Sequence, residues 1–133
     1  MSLKLLFRVL AALFGWLCLS AHAAEVFVIC NSGVQIAAPE IKEVFTGDKQ
    51  FAGTLKLNPV DNGPLQAAFL SAVLKLDTLR YNMIWTKKSF REGINPPPVK
   101  SGDSDVLDFV RKTPGAIGYV SSAPSGVTVI QKF

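Results

Sequence analysis

The apolar positions of the chain fall into short blocks whose period switches between two and about 3.6 residues, punctuated by glycine, proline and small polar residues. Val26 to Cys30 is an unbroken apolar run and predicts a buried strand, followed by a loop at Asn31-Ser32-Gly33. A short helix is expected next. Pro39 suits its first turn, Glu40 and Glu43 suit the positive end of its dipole, Ile41, Val44 and Phe45 form its apolar face, and Gly47 ends it. Beyond Asp48-Lys49-Gln50, the residues from Leu55 to Val60 predict a second strand. Asp61-Asn62-Gly63-Pro64 then opens an amphipathic helix whose core face is Leu65, Ala68, Phe69, Ala72, Val73 and Leu76. A further helix starts at Asp77 or Thr78 and carries Leu79, Tyr81, Met83, Ile84 and Trp85. After a polar, proline-rich passage to Val99, Ser101-Gly102-Asp103 starts a helix with Val106, Phe109 and Val110 at helical spacing. Pro114 stops it by lacking an N–H, and Gly115 by accepting a left-handed backbone. Ala116 to Val120 reads as a buried strand whose two small residues let a neighbour approach closely, and Val127 to Ile130 as the last strand.

Strands separated by helices predict an α/β fold, a single three-layer domain with a mixed, largely parallel sheet, because parallel strands need crossovers of this length. In such sheets ligands bind beyond the carboxyl ends of strands, where helix N-termini present free N–H groups. Three loops answer that description: Asn31-Ser32-Gly33, Val60-Asp61-Asn62-Gly63 and Ser101-Gly102-Asp103-Ser104. Their convergence would give a small-oxyanion site built from Ser32, Gly33, Asp61, Asn62, Gly63, Ser101 and Ser104. Each loop is also ordinary turn and capping chemistry.

Composition narrows the chemistry. Lys4 and Arg8 precede the apolar run Val9 to Leu19 and then Ala21-His22-Ala23, the pattern of a secretory signal peptide over residues 1–23 with cleavage after Ala23. The run is too short for a spanning helix, which needs about 20 apolar residues, and Gly15-Trp16-Leu17 before Cys18 does not suit lipid attachment. The expected product is an exported, periplasmic or secreted domain of residues 24–133, without stable membrane insertion. Signal removal takes away the only histidine, His22, which excludes imidazole-based triads and histidine-bearing zinc sites. Cys30 is then the lone cysteine and reads as a buried small hydrophobe, with a reactive thiol or an intermolecular disulfide as alternatives. The charge of +4 falls to +2, and the cluster Lys87, Lys88 and Arg91 lacks the long basic stripe of a nucleic-acid groove. No cofactor or metal is implied. Asp103, Asp105 and Asp108 fit a helix start and its solvated side better than an enzyme's acids or ligands.

Thr113-Pro114-Gly115-Ala116-Ile117-Gly118-Tyr119-Val120 resembles the signature near the end of the phosphate-binding component of bacterial phosphate ABC transporters, which are type II periplasmic binding proteins. Phe45-Thr46-Gly47-Asp48-Lys49, Asn62-Gly63-Pro64-Leu65 and the spaced set Trp85, Phe90, Gly93 and Pro96-Pro97 extend the likeness over the whole expected mature chain. Trp85 and Phe90 themselves read as core aromatics. The resemblance implies one lobe of a protein that otherwise closes two lobes on phosphate, with no room here for the second. The relatives' ligand set is an arginine, an aspartate and a serine-glycine-threonine step. Mapped here, the aspartate matches Asp61, but the arginine falls on Asn58 or Pro59, the serine on Gly63 and the threonine on Leu65. Without the arginine the strongest bidentate contacts are missing, and the Asp61 carboxylate repels ionised phosphate. Two non-enzymatic functions follow from the resemblance. One is a phosphate-like oxyanion-binding module, weak or dependent on a partner that supplies the second wall. The other is an envelope interaction or accessory domain that has lost the solute site, marked by an apolar patch where the missing lobe would dock.

Overall fold

The computed structural model describes residues 24–133; the signal peptide expected over residues 1–23 lies outside them. The apolar run at the start of the described chain becomes β1 (Phe27–Cys30), every residue of it buried. It lies inside a four-stranded sheet between β7 (Ala116–Val120) and β8 (Thr128–Lys132), antiparallel to both, and β7 is flanked on its other side by β4 (Asn58–Pro59) in parallel. Strand alternation sends successive side chains to opposite faces. Val26, Val28, Cys30, Ile117 and Tyr119 therefore belong to one core, and Phe27, Ile29, Ala116 and Val120 to the other.

The first core is covered by α1 (Ile41–Phe45), α2 (Gln66–Phe69) and α3 (Thr78–Glu92); the second is covered by α4 (Asp103–Lys112) through Val106 and Val110. The result is the expected α/β, three-layer arrangement with a mixed sheet. The expected parallel majority is corrected. Besides β4 with β7, the other parallel pair is β5 (Asp61–Asn62) with β6 (Val99–Lys100), while β1 pairs antiparallel on both sides and β2 (Phe51–Ala52) and β3 (Leu55–Lys56) form a hairpin. Helical crossovers permit parallel pairing but do not dictate which strands become neighbours. Here the first strand is inserted between the last two.

Other expectations shift for local reasons. The strand expected over Leu55 to Val60 is split, Leu55–Lys56 pairing with β2 and Asn58–Pro59 with β7, and Pro59 is tolerated because β4 is an edge strand of its sheet. After Phe69 the α2 helix widens into a π turn, Leu70–Leu74, which ends at Lys75 in the left-handed region (φ 57°). The wider turn brings Leu70 and Leu74 fully into the core beside Phe69, while Ala72, Val73 and Leu76 are only half-buried. On α3, capped by Asp77 Oδ1 accepting from the Arg80 N–H at 2.7 Å, only Tyr81 and Trp85 are buried. Trp85 donates its indole N–H to the Phe45 carbonyl at 3.0 Å, as a core aromatic should. Phe90 is 92% exposed, so its reading as a core aromatic is corrected. Cys30 packs as the expected small hydrophobe, and burial pushes its thiol pKa up.

The joint between α4 and β7 depends on two glycines. Gly115 has φ 78°, and a Cβ there would stand 2.0 Å from the Lys56 carbonyl oxygen. A Cβ at Gly118 would meet Val106 Cγ1 at 2.7 Å and Val60 Cγ2 at 3.2 Å, so this position sets how closely α4 lies on the sheet. Gly118→Ala should destabilise the fold by about 1–3 kcal/mol through overpacking against β-branched neighbours that cannot swing aside. Thermal unfolding followed by circular dichroism checks this; an unchanged midpoint would show that α4 can move outward freely.

Candidate functional site

The backbone beyond β4 is carried along β7 by the Val60 N–H bond to the Ile117 carbonyl (2.9 Å), and this delivers Asp61 and Asn62 to a buried position, each 1% exposed. The Asp61 carboxylate accepts two phenol hydroxyls, Tyr81 to Oδ2 at 2.7 Å from α3 and Tyr119 to Oδ1 at 2.8 Å from β7. Its own N–H donates to the Pro98 carbonyl at 2.8 Å. Tyr119 is held by its ring, which stacks on Phe69 at 3.8 Å between centroids and meets Phe45 edge-on at 5.7 Å.

Asn62 bridges to the start of α4. Its Nδ2 donates to Asp103 Oδ1 at 2.8 Å and to the Tyr119 carbonyl at 3.0 Å, while its buried Oδ1 has no hydrogen-bond partner among the described residues. Asp103 also receives the Ser121 N–H at 3.2 Å and the Ser121 hydroxyl at 2.5 Å. A carboxylate of the chain itself thus occupies the first turn of α4, where the helix dipole and converging donors favour negative charge.

Five of the expected site residues, Asp61, Asn62, Gly63, Ser101 and Ser104, lie at this end of the sheet. Gly63 sits against the Lys100 carbonyl, Ser101 donates its hydroxyl to Asp105, and Ser104 is exposed on α4. Ser32 and Gly33 are not with them, which corrects the expected convergence of three loops. Because β1 runs antiparallel to β7, its carboxyl end lies beside the start of β7: the Asn31 N–H bonds to the Ala116 carbonyl (2.9 Å) and Asn31 Nδ2 to the Val110 carbonyl (2.9 Å). Val110 is in the last turn of α4 and Ser101-Gly102-Asp103 at its start, roughly 10–14 Å apart at about 1.5 Å per residue.

Tyr81, Tyr119, Asp103 and Ser121, which are not among the expected site residues, complete the site. The available signal was weak: a tyrosine in an otherwise apolar buried strand needs a partner for its hydroxyl, and the nearest polar candidates after a strand were Asp61 and Asn62. A separate groove of about 390 Å³ runs under Pro96-Pro97-Pro98 beside Lys49, Asn58 and Trp85, and contains none of the expected site residues.

Electrostatically the site is acceptor-rich. Burial raises the Asp61 pKa, against the opposing effect of the tyrosine hydrogen bonds and a Gln66 contact. Both phenols are held protonated far above the ordinary tyrosine range, first by burial and then by the Asp61 charge. Among the described residues neither Asp61 nor Asp103 forms a salt bridge with a lysine or arginine, and no group of acidic, cysteine or histidine side chains is arranged to hold a metal ion.

This is the fold of one half of a solute-binding protein of the phosphate-transport type. The chain superposes on a Clostridium perfringens protein described as a phosphate ABC transporter substrate-binding protein, solved with bound phosphate, with a TM-score of 0.52 and 13% identity over 84% of this chain and 46% of that one. An ABC-type phosphate transport receptor from Vibrio cholerae gives a TM-score of 0.51 and 16% identity over 84% and 48%. The chain therefore spans about half the length of each. No family model and no curated protein matches it. No helix among the described residues is long and apolar enough to cross a membrane.

An acid whose pKa is raised on folding binds its proton more tightly in the native state, so its contribution to stability is fully present below the unfolded value and declines as pH rises through the folded one. The difference in unfolding free energy between wild type and Asp61→Asn should accordingly grow as pH falls from neutral toward 3.8, the ordinary aspartate value. Tyr119→Phe, which leaves the buried carboxylate short of a donor, should cost about 1–3 kcal/mol. Urea titrations across that pH range measure both; a pH-independent difference would mean that Asp61 is as well solvated folded as unfolded.

Proposed function

We propose that this protein is an exported, non-enzymatic interaction or accessory domain of the cell envelope, built on one lobe of the solute-binding fold and no longer capturing a solute by itself. Its expected oxyanion site is filled by its own Asp103. The observation that carries this reading is the donor inventory. The Tyr81 and Tyr119 hydroxyls serve Asp61, while Asn62 Nδ2, the Ser121 N–H and the Ser121 hydroxyl serve Asp103. Among the buried side-chain atoms at this site, the one left unpaired is Asn62 Oδ1, an acceptor, which offers nothing to an oxyanion. Two carboxylates with no salt-bridged lysine or arginine among the described residues also repel a phosphate dianion. Export rests on the signal-peptide pattern of residues 1–23.

A second reading, weak or partner-assisted binding of a phosphate-like oxyanion, is favoured by the fold itself, since one structural neighbour was solved with phosphate bound. The two readings separate in a titration of the purified protein with phosphate, sulfate and a carboxylate control, followed by amide chemical shifts. Wild type should show no saturable shift at millimolar phosphate. Asp103→Ala, which frees three donors at the start of α4, should acquire saturable shifts at Asn62, Asp105 and Ser121 and bind at least about tenfold better, at roughly 1.4 kcal/mol per tenfold. Saturation of the wild type at those same amides would reinstate solute capture.

A further inference from the structure

Among the described residues, the outer side of α3 carries several large exposed apolar side chains. At about 100° per residue, Leu79, Met83, Thr86 and Phe90 fall within about 60° of one another, and the three apolar members are 69%, 49% and 92% exposed. An amphipathic helix that buries one side is expected to be polar on the other; α3 instead buries Tyr81 and Trp85 and turns a second apolar stripe outward. On one flank of that stripe, roughly 90° around the helix, run Arg80, Lys87 and Arg91, all exposed and none in a salt bridge among the described residues. On the other flank a groove of about 710 Å³ separates α3 from the proline-rich strap, lined by Tyr81, Trp85, Ser89, Phe90, Pro97 and the 62%-exposed Val99.

Groove, apolar crest and cationic row run side by side along the helix. We infer that this face docks an amphipathic helix of a partner protein, its apolar ridge lying against Leu79, Met83 and Phe90 beside Val99, and an acidic row pairing with Arg80, Lys87 and Arg91. The charge selects the occupant. A second copy of the chain would match the apolar stripe but would bring the same cations and no row of carboxylates. An anionic bilayer would answer the charge but has no use for a cationic row on one flank only, and three apolar side chains give it little area to bury. A helical partner satisfies stripe, row and groove together, in the helix-in-groove manner. The inference rests on the reading of the domain as an interaction module and names the surface and the chemistry of its partner.

The test uses a synthetic amphipathic peptide of about five turns, with a leucine ridge at i, i+3/i+4, i+7 spacing and a glutamate row on one flank, titrated against the purified protein and followed by amide shifts. Saturable shifts confined to α3 and the strap are expected, weakened at least tenfold by Phe90→Ser and by the double change Lys87→Glu with Arg91→Glu. A lysine-row peptide should recover binding to the double variant. These side chains are exposed, so circular dichroism should show the fold unchanged. The inference is overturned by no saturable shift at millimolar peptide, by equal affinity for the glutamate-row and lysine-row peptides, by binding to phosphatidylglycerol vesicles in place of the peptide, or by dimerisation in sedimentation that Phe90→Ser abolishes. Phosphate titration of the same sample separates the two levels. Phosphate saturation at Asn62 and Ser121 removes the underlying reading, whereas a silent peptide with silent phosphate removes only this surface.

Discussion

The hydrogen bonds from Tyr81 and Tyr119 to Asp61 tie together three segments that are distant in the chain: the end of the β4–β5 passage, helix α3 and strand β7. A buried carboxylate is costly unless its oxygens are satisfied, and here each oxygen receives a phenol that is itself fixed. Tyr119 is stacked on Phe69, which sits edge-on to Phe45 at 4.8 Å, and Tyr81 is one helical turn from Trp85, whose indole is bonded to the Phe45 carbonyl. Polar tie and aromatic cluster are therefore one construction. Asn62, the next residue, continues it to Asp103 and Ser121, so that α4 is tied to the same point from the opposite layer.

What the sequence made legible were features set by near neighbours. The buried β1, the short helix over Ile41–Phe45, the Asp77 start of α3, the Pro114-Gly115 stop and the close approach at Gly118 all follow from local periodicity, capping or backbone limits, and the structure has them. Strand neighbours were not legible, because β1 pairs with segments nearly a hundred residues away and no local rule selects them. The π turn at Leu70–Leu74 was hidden because an extra residue per turn leaves the composition of an apolar run unchanged. The exposure of Phe90 is not legible in the sequence, because its spacing from Trp85 does not say whether a second apolar face is covered.

The site divides along the same line. Asp61 and Asn62 stood out as polar residues after a strand, but their partners lie 20, 41 and 58 positions away, at Tyr81, Asp103 and Tyr119, and sequence spacing carries no trace of them. The opposite fate of Ser32 and Gly33 follows from strand direction alone. Had β1 been parallel to β7, their loop would have emerged beside Asn62; running antiparallel, it emerges beside Ala116.

The construction that closes the pocket also determines what the molecule presents. With Tyr81 fastened to Asp61 and Trp85 to Phe45, the rotation of α3 about its own axis is fixed at two points one turn apart. Helical geometry then leaves Leu79, Met83 and Phe90 about 150° away from those anchors, facing outward. Turning this stripe inward would break both anchors and leave the Asp61 carboxylate buried without one of its donors, a penalty of about 1–3 kcal/mol before any packing is lost. The exposed apolar stripe is thus a stable feature of the folded domain rather than a side chain pattern awaiting collapse. A docking surface held rigid in advance loses less conformational entropy when a partner arrives. The hydrogen bond from Tyr81 to Asp61 belongs to both: it satisfies one oxygen of the buried carboxylate and is one of the two anchors that hold the outward display of α3.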